Sequence, residues 1–267
     1  NAGVHSIAWT ADHNGHATHT AMLYMLTQTE AGICCPITMT YAGVPTLRQH
    51  ELLRTEWEPL VLSNNYDSIH APYSQKSSLM LGMAMTEKQG GSDVRANQTT
   101  AKHLTADQYL LTGHKWFCSA PMSDGFFTLA QTPKGLTCFL VPRFTLDGQK
   151  NRILIRRLKD KLGNRSNASS EIEYDDTWAL RIGEEGRGVP TIIEMVHHTR
   201  LDCTTAAVGI MRQSLFQAVH HAQHRMAFGK TLIRQPLMQH VLTDLAIEWE
   251  ASLAMEFRIA EAYDSKG

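Results

Sequence analysis

Between Pro190 and His224 the chain carries a single glycine, Gly209, and no second proline. Ile193, Val196, Ala207, Ile210, Leu215 and Val219 recur there at helix-like intervals. An unbroken helix over this stretch is about 50 Å long at roughly 1.5 Å per residue. A helix of that length is stabilised by packing, so it belongs in a bundle or at a subunit interface. A turn is predicted at "AFGKTLIRQP". A second helix is predicted from Pro236, a good first-turn residue, to about Tyr263.

The texture upstream is different. From Leu79 to about Leu180 the sequence reads as strands and turns. "TTAKHL–TADQ–YLLTGHKWFCS" and "GFFTLAQT–PKG–LTCFLVPRF" read as hairpins, while "RILIRRLKD" and "SEIEYDD" alternate apolar with charged residues. Residues 1–78 read as helices and loops. "HATHTAMLYMLTQTEAG" is predicted helical with a stop at Gly32, and "VPTLRQHELLRTEWEPLVLS" carries Leu47, Leu52, Leu53 and Trp57 at helical spacing. The order predicts an α+β chain with an N-terminal helical part (1–78), a central β domain (79–182) and a C-terminal long-helix bundle (183–267). It is not the βαβ order of a doubly wound fold.

Charge and cysteine usage narrow the classes. Lys plus Arg number 25 and Asp plus Glu 26, a net of −1, so no global charge favours nucleic acid or an anionic membrane. Five cysteines, an odd count without CxxC spacing, read as reduced thiols in a cytoplasmic compartment. No apolar run approaches the roughly 18 residues of a membrane helix. The chain opens at Asn1 in what reads as mid-helix and ends at Gly267 after a helical run, so an internal fragment is expected.

Three stretches carry candidate chemistry. The first is "MAMTEKQGGSDV", Met83 to Val94, where paired glycines meet a hydroxyl. GxGxxG does not fit it, and a β segment rather than a helix follows. It reads either as a tight turn or as a ligand cradle in which Gly90 and Gly91 leave room, Ser92 donates to an anion and Thr86 meets a polar ring edge. The second is "GHKWFCS", Gly113 to Ser119, either a core strand or the wall for a flat ring. The third is "RMAFGKTLIRQP", Arg225 to Pro236. The first glycine of a phosphate loop would fall at His224, so that motif fails. Arg225 there is either a charged helix end or a phosphate clamp. The histidine pairs, including His220 with His224, lack a Cys or Glu to complete a metal set. No GxSxG is present. The basic run Arg152, Arg156, Arg157, Lys159 and Lys161 reads as a solvated face or a local phosphate contact.

Five stretches in order, "MTEKQGGSDV", "GHKWFCS", "KLGNRSNASSEIEYDD", "GEEGRGV" and "RMAFGKTLIRQP", resemble the acyl-CoA dehydrogenase family over nearly the whole chain. The wording of the first, with "RLKDKLGNRSNAS", is most similar to the family's adaptive-response (alkylation-response) branch. The resemblance implies a central β-barrel-like domain between two helical parts. It implies FAD, held by Met83, Met85, Thr86, Gly90, Gly91 and Ser92 and by Phe117, Cys118 and Ser119. By the same resemblance Thr86 meets the flavin's pyrimidine edge, Ser92 the pyrophosphate, and Ser119 stands near flavin N5. Phe117 takes the place of a flavin-packing aromatic that is commonly Trp. Arg225, Phe228 and Gln235 would reach the FAD of a neighbouring subunit in a homotetramer.

The implied reaction is α,β-dehydrogenation of an acyl-CoA thioester, in which a carboxylate takes the α proton and a hydride goes to flavin N5. An electron-transferring flavoprotein is the implied acceptor. No catalytic base is found in this chain. The minority position before an arginine carries Thr199, next to Arg200, and the usual glutamate is expected beyond Gly267. The fragment alone is therefore expected to be inactive. Two other readings stay open. One is an FAD-containing, DNA-associated protein protecting against alkylation, with its DNA contacts in a region outside this chain. The other is a scaffold that has kept only the fold.

Overall fold

The computed structural model describes residues 2–265. The chain forms two compact units. One comprises Asn1–Ser6 with Cys35–Thr199, and the other Ile7–Cys34 with Arg200–Gly267. In chain order the helices are α1 (Ile7–Thr10), α2 (Gly15–Thr27), α3 (Cys34–Leu47), α4 (Glu58–Val61), α5 (Gly188–His224) and α6 (Pro236–Asp264). The strands are β1 (Leu81–Ala84), β2 (Thr100–Thr105), β3 (Gln108–Ser119), β4 (Gly125–Thr132), β5 (Gly135–Pro142), β6 (Ile153–Leu158), β7 (Ser169–Ile182), β8 (Met226–Ala227) and β9 (Lys230–Thr231).

The first unit is built on a seven-stranded sheet, mixed in direction. Both expected hairpins form, β2 with β3 and β4 with β5. Strands β4 and β5 are apolar nearly throughout and buried on both faces, which places them centrally. β1 lies parallel to β4, with Met83 opposite Phe127. The pairings run from β4 through β5, β7, β3 and β2, and return to β4 only at Thr100 opposite Gln131. The domain is thus barrel-like, as expected: a curled sheet whose ends meet only at that one contact. Tyr109, Phe126, Phe139, Val141, Ile172 and Tyr174 fill its interior. The expected basic run lies on β6 and just beyond it, and its charges pair across to β7: Arg156 with Glu173, and Arg157 and Lys159 with Glu171. Cross-strand pairing, not free solvent, explains the alternation of both stretches.

The N-terminal helices depart from the expectation in two places. The stretch ending at Gly32 stops as α-helix at Thr27, and Gly32 sits in a separate 3-10 turn whose nitrogen donates to Glu30 Oε1 at 2.7 Å. Residues 44–63 are not one helix: α3 ends at Leu47 and helix resumes at Glu51, with a π turn over Leu53–Trp57. Six residues of straight helix would rotate Leu53 about 240° away from Leu47. The break lets Leu47, Leu53 and Trp57 all be buried. Ala2 to Ser6 is coil and turn, not mid-helix, and Asn1 lies outside the described residues.

Helix α5 runs 37 residues, about 56 Å, close to its expected length. In the second unit a Cβ on Gly209 would stand 2.2 Å from Thr27 Cγ2, so the glycine admits α2 against α5. Asn14 gives α2 no side-chain cap; the Asp264 carboxylate at the end of α6 accepts from His16 N at 2.7 Å and Ala17 N at 3.0 Å instead. His19 and Asp202 form a buried pair at 2.8 Å. No helix among the described residues is long and apolar enough to cross a membrane.

Candidate functional site

The loop after β1 is fixed from beneath by a pair that the sequence reading did not single out. Glu87 and Lys115 are both fully buried, with Lys115 Nζ donating to Glu87 Oε1 at 2.9 Å and to the Leu129 carbonyl at 2.8 Å. Glu87 Oε1 also accepts from Thr99 Oγ1 at 2.6 Å and Thr99 N at 3.1 Å, and Oε2 from Gln98 N at 2.7 Å. Burial alone would raise the Glu87 carboxyl, but the hydrogen bonds from Lys115, Thr99 and Gln98 outweigh it and hold the pKa down at about 2. Burial pulls the Lys115 ammonium down, against the opposing pull of Glu87. A charge pair this enclosed is stable only because its remaining bonds are made.

Around that anchor the loop closes on itself. Gly90 N donates to Glu87 O at 3.0 Å, and Glu87 N to Gly90 O at 3.3 Å. Asn97 Nδ2 donates to Met85 O at 3.1 Å. Gly90 sits at φ +134 with open space on its Cβ side. Gly91 has a different task. A Cβ there would stand 2.5 Å from Thr86 Oγ1, so Gly91 makes room for Thr86. Ser92 is exposed on the loop's outer side, and Met83 and Met85 are half-buried.

Besides the Lys115–Glu87 pair, the loop is tied to β3 by Trp116 N, which donates to Thr86 O at 2.8 Å, and by Lys88 N, which donates to His114 Nε2 at 3.0 Å. The Trp116 bond joins the Thr86 backbone to β3 one residue before Phe117. A bulge between Lys115 and Cys118 breaks the alternation of β3, because their partners on β7 are Ile172 and Ser170. As a result Lys115 and Cys118 both point inward while Phe117 is 49% exposed. Cys118 is therefore a correction to the expected set. Its thiol lies in the sheet core, where burial pushes it up to about 12, and it presents no side chain to a ligand. Phe117 has the Lys159 ammonium 4.5 Å from its ring centroid. Ser119 ends β3, half-buried, opposite Ser169.

Arg225, Phe228 and Gln235 lie together in the second unit. Phe228 and Gly229 form the two-residue turn between β8 and β9, both with positive φ, +52 and +77. Phe228 is 97% exposed and Arg225 is exposed. Gln235 Nε2 donates to Ala227 O at 3.0 Å and braces the hairpin. No group of three His, Cys, Asp or Glu side chains able to hold a metal is found among the described residues.

The glycine loop is clamped to a strand that bears an exposed aromatic and a terminal hydroxyl, inside a helix–sheet–helix chain. Three family models match in succession: "Adaptive response protein AidB N-terminal domain" over residues 1–68, "Acyl-CoA dehydrogenase, middle domain" over 82–177 and "Acyl-CoA dehydrogenase, C-terminal domain" over 186–267. The chain belongs to the acyl-CoA dehydrogenase family, whose cofactor is FAD. It is 48% identical to the AidB protein of Escherichia coli (strain K12), over 98% of this chain and 49% of that protein. It is 32% identical to acyl-CoA dehydrogenase family member 11 of Caenorhabditis elegans, over 90% of this chain and 40% of that protein. The crystal structure of Caenorhabditis elegans ACDH-11 in complex with C11-CoA superposes with a TM-score of 0.87 at 31% identity, covering 98% of this chain and 46% of that one. Butyryl-CoA dehydrogenase from Megasphaera elsdenii shares the fold, with a TM-score of 0.85 at 18% identity, covering 99% and 69%. The chain spans about half the length of the curated relatives it matches.

Proposed function

We propose that the protein is an FAD-dependent oxidoreductase that dehydrogenates an acyl-CoA thioester between its α and β carbons. The observation that carries this reading is the clamp from Trp116 N to Thr86 O. It joins the glycine loop, which bears the Thr86 hydroxyl, to the strand that carries Phe117 and Ser119. The residues present fit FAD. Thr86 and Ser119 offer hydroxyls to a polar ring edge, Phe117 offers a flat wall, Gly90 an open backbone face, and Ser92 an exposed donor for the pyrophosphate. FAD supplies the chemistry of accepting a hydride equivalent. The chain's own part is to orient the ring and to exclude water from one side of it.

The likeness to the C11-CoA-bound ACDH-11 supports a CoA thioester as substrate. We place the catalytic base outside these 267 residues. Thr199, before Arg200, has no carboxylate, and its hydroxyl donates to Val196 O at 2.9 Å. These residues alone are accordingly expected to show no turnover. The segments 1–78, 79–182 and 183–267 are read as its domains and the cytoplasm as its compartment, with an electron-transferring flavoprotein as acceptor. Leu237, Val241 and Leu245 form an exposed apolar row on α6. Together with Phe228, that row supports a homotetramer in which Arg225, Phe228 and Gln235 meet a neighbour's FAD.

The match of residues 1–68 to an adaptive-response domain favours a second reading: an FAD-containing, DNA-associated protein that limits alkylation damage with little acyl-CoA turnover. The two are separated by the absorbance spectrum of the complete, FAD-loaded protein before and after anaerobic addition of isovaleryl-CoA and a panel of other acyl-CoAs. Bleaching of the flavin band is the expected result. Bound FAD that stays oxidised with every thioester would overturn the dehydrogenase reading and promote the second.

A further inference from the structure

At the end of β3 a chain of three polar groups has a defined direction. Lys161 Nζ donates to Ser169 Oγ at 2.9 Å and also to the Asn167 carbonyl. Ser169 Oγ stands 3.2 Å from Ser119 Oγ. Ser119 and Ser169 are direct cross-strand partners, and Ala120 N donates to Ala168 O at 2.8 Å just beyond them, so the spacing is set by the sheet. Ser169 and Asn167 are buried, and Lys161 is half-buried.

An ammonium donates and never accepts. Ser169 Oγ therefore receives a proton from Lys161 and has its own to give. Were Ser119 to donate into Ser169 as well, the Ser169 proton would be left buried without an acceptor, which costs about 1–3 kcal/mol. The arrangement that satisfies Lys161 and both serine hydroxyls runs one way: Lys161 to Ser169, then Ser169 to Ser119. Ser119 has then accepted, and its own proton is left for an outside acceptor. Cys35 lies against the same side chains but does not compete. Burial pushes its thiol up, against the pull of Ser119, Lys161 and Asn167, and a thiol is a weak acceptor.

We infer that Lys161 is a positioning residue for the cofactor: through Ser169 it fixes the Ser119 hydroxyl as a donor aimed at the acceptor nitrogen, N5, of the flavin ring. This rests on the proposed placement of FAD against Ser119. The consequence is chemical. A donor held at an electron-accepting nitrogen draws electron density from the ring and favours reduction. A serine free to rotate would give the same bond only part of the time.

The test uses the complete protein loaded with 15N-labelled FAD and reads the N5 resonance together with the midpoint reduction potential. Ser119→Ala sets the full loss of the donor. Ser169→Ala and Lys161→Met are expected to move N5 in the same direction as Ser119→Ala, by a smaller amount, and to lower the potential. Lys161→Arg, which keeps charge and donor, is expected to retain both wild-type values. A tenfold weakening of the reduction equilibrium would read as about 30 mV for a two-electron couple. If Lys161→Met lowers the potential while Ser169→Ala leaves N5 and potential untouched, the charge acts through space and the relay is wrong. Unchanged values in both variants, with FAD bound, also overturn it. If Lys161→Met does not fold, Ser169→Ala decides alone. If FAD binds but Ser119→Ala leaves N5 where it was, the placement of the flavin fails first, and the relay with it.

Discussion

Two glycine turns in this chain are built on opposite terms. The Gly90-Gly91 turn sits over a fully buried ion pair whose polar partners come from β4 and from the segment that leads into β2. The Phe228-Gly229 turn holds a bulky residue at φ +52, where a Cβ is penalised, and leaves that residue 97% exposed. The first turn is organised by its own unit and needs nothing from outside to keep its shape. The second spends backbone strain and apolar exposure on a feature with no local return, as expected of a surface completed by another molecule.

Removing one partner of the buried pair is the most severe way to break the first turn. Lys115→Met leaves the Glu87 carboxylate enclosed without its cation and should cost about 3–5 kcal/mol. Urea unfolding of the variant reads this directly, and a loss below about 1 kcal/mol would show that the pair does not anchor the loop. The same anchor predicts an acid limit. A carboxyl held below its unfolded value adds stability above that value and loses it as pH falls through the folded one. For Glu87 the stabilisation is complete above about pH 4.5 and disappears toward pH 2, roughly 3 kcal/mol in all. Stability measured across that window should fall more steeply in wild type than in Glu87→Gln. Equal slopes would assign the acid loss elsewhere.

These two residues also mark where sequence reading runs out. The helix–sheet–helix order was legible from periodicity alone, because α5 and α6 are long and the hairpins carry turn chemistry. The loop was legible from its paired glycines. The Glu87–Lys115 pair was not, since the two residues lie 28 positions apart, and a charged residue within a strand reads as a solvent-facing one. Lys115 follows the inward alternation of Tyr109 and Leu111, and the bulge after it then turns Cys118 inward as well; a bulge leaves no composition signal. The same bulge turns the Cys118 side chain into the sheet core, which motif position alone does not reveal. Gly91 was legible as a close approach, but nothing in a sequence says that the approaching atom belongs to Thr86. Lys161 hid in the same manner, inside a basic run whose other members on β6 and Lys159 pair with β7.

A smaller perturbation sharpens the reading of the first turn. Gly91→Ala forces a methyl against Thr86 Oγ1 and should cost about 1–3 kcal/mol. If Thr86 is the obstacle, the double change Gly91→Ala with Thr86→Ala should recover part of that loss, a non-additive result that a remote site would not give. FAD affinity should stay low in the double variant, because the hydroxyl is gone. Additive losses would mean that Gly91 serves its own backbone conformation rather than the approach of Thr86.

The second turn makes the smallest prediction in energy, with the sign reversed. Asn tolerates positive φ far better than Phe, and Asn-Gly is the preferred pair for a two-residue hairpin of this kind. Phe228→Asn should therefore stabilise the folded chain, by about 0.5–1 kcal/mol. If the exposed ring exists to meet a neighbour, the same variant should assemble less well, visible as a shift to smaller species in sedimentation and weaker FAD retention on dilution. Stability that rises while assembly falls is what distinguishes a surface kept for a partner from a merely awkward turn. Stability that rises with assembly and FAD retention unchanged would leave the strain at Phe228 without a function, and would place the contacts to a neighbouring cofactor elsewhere in the chain.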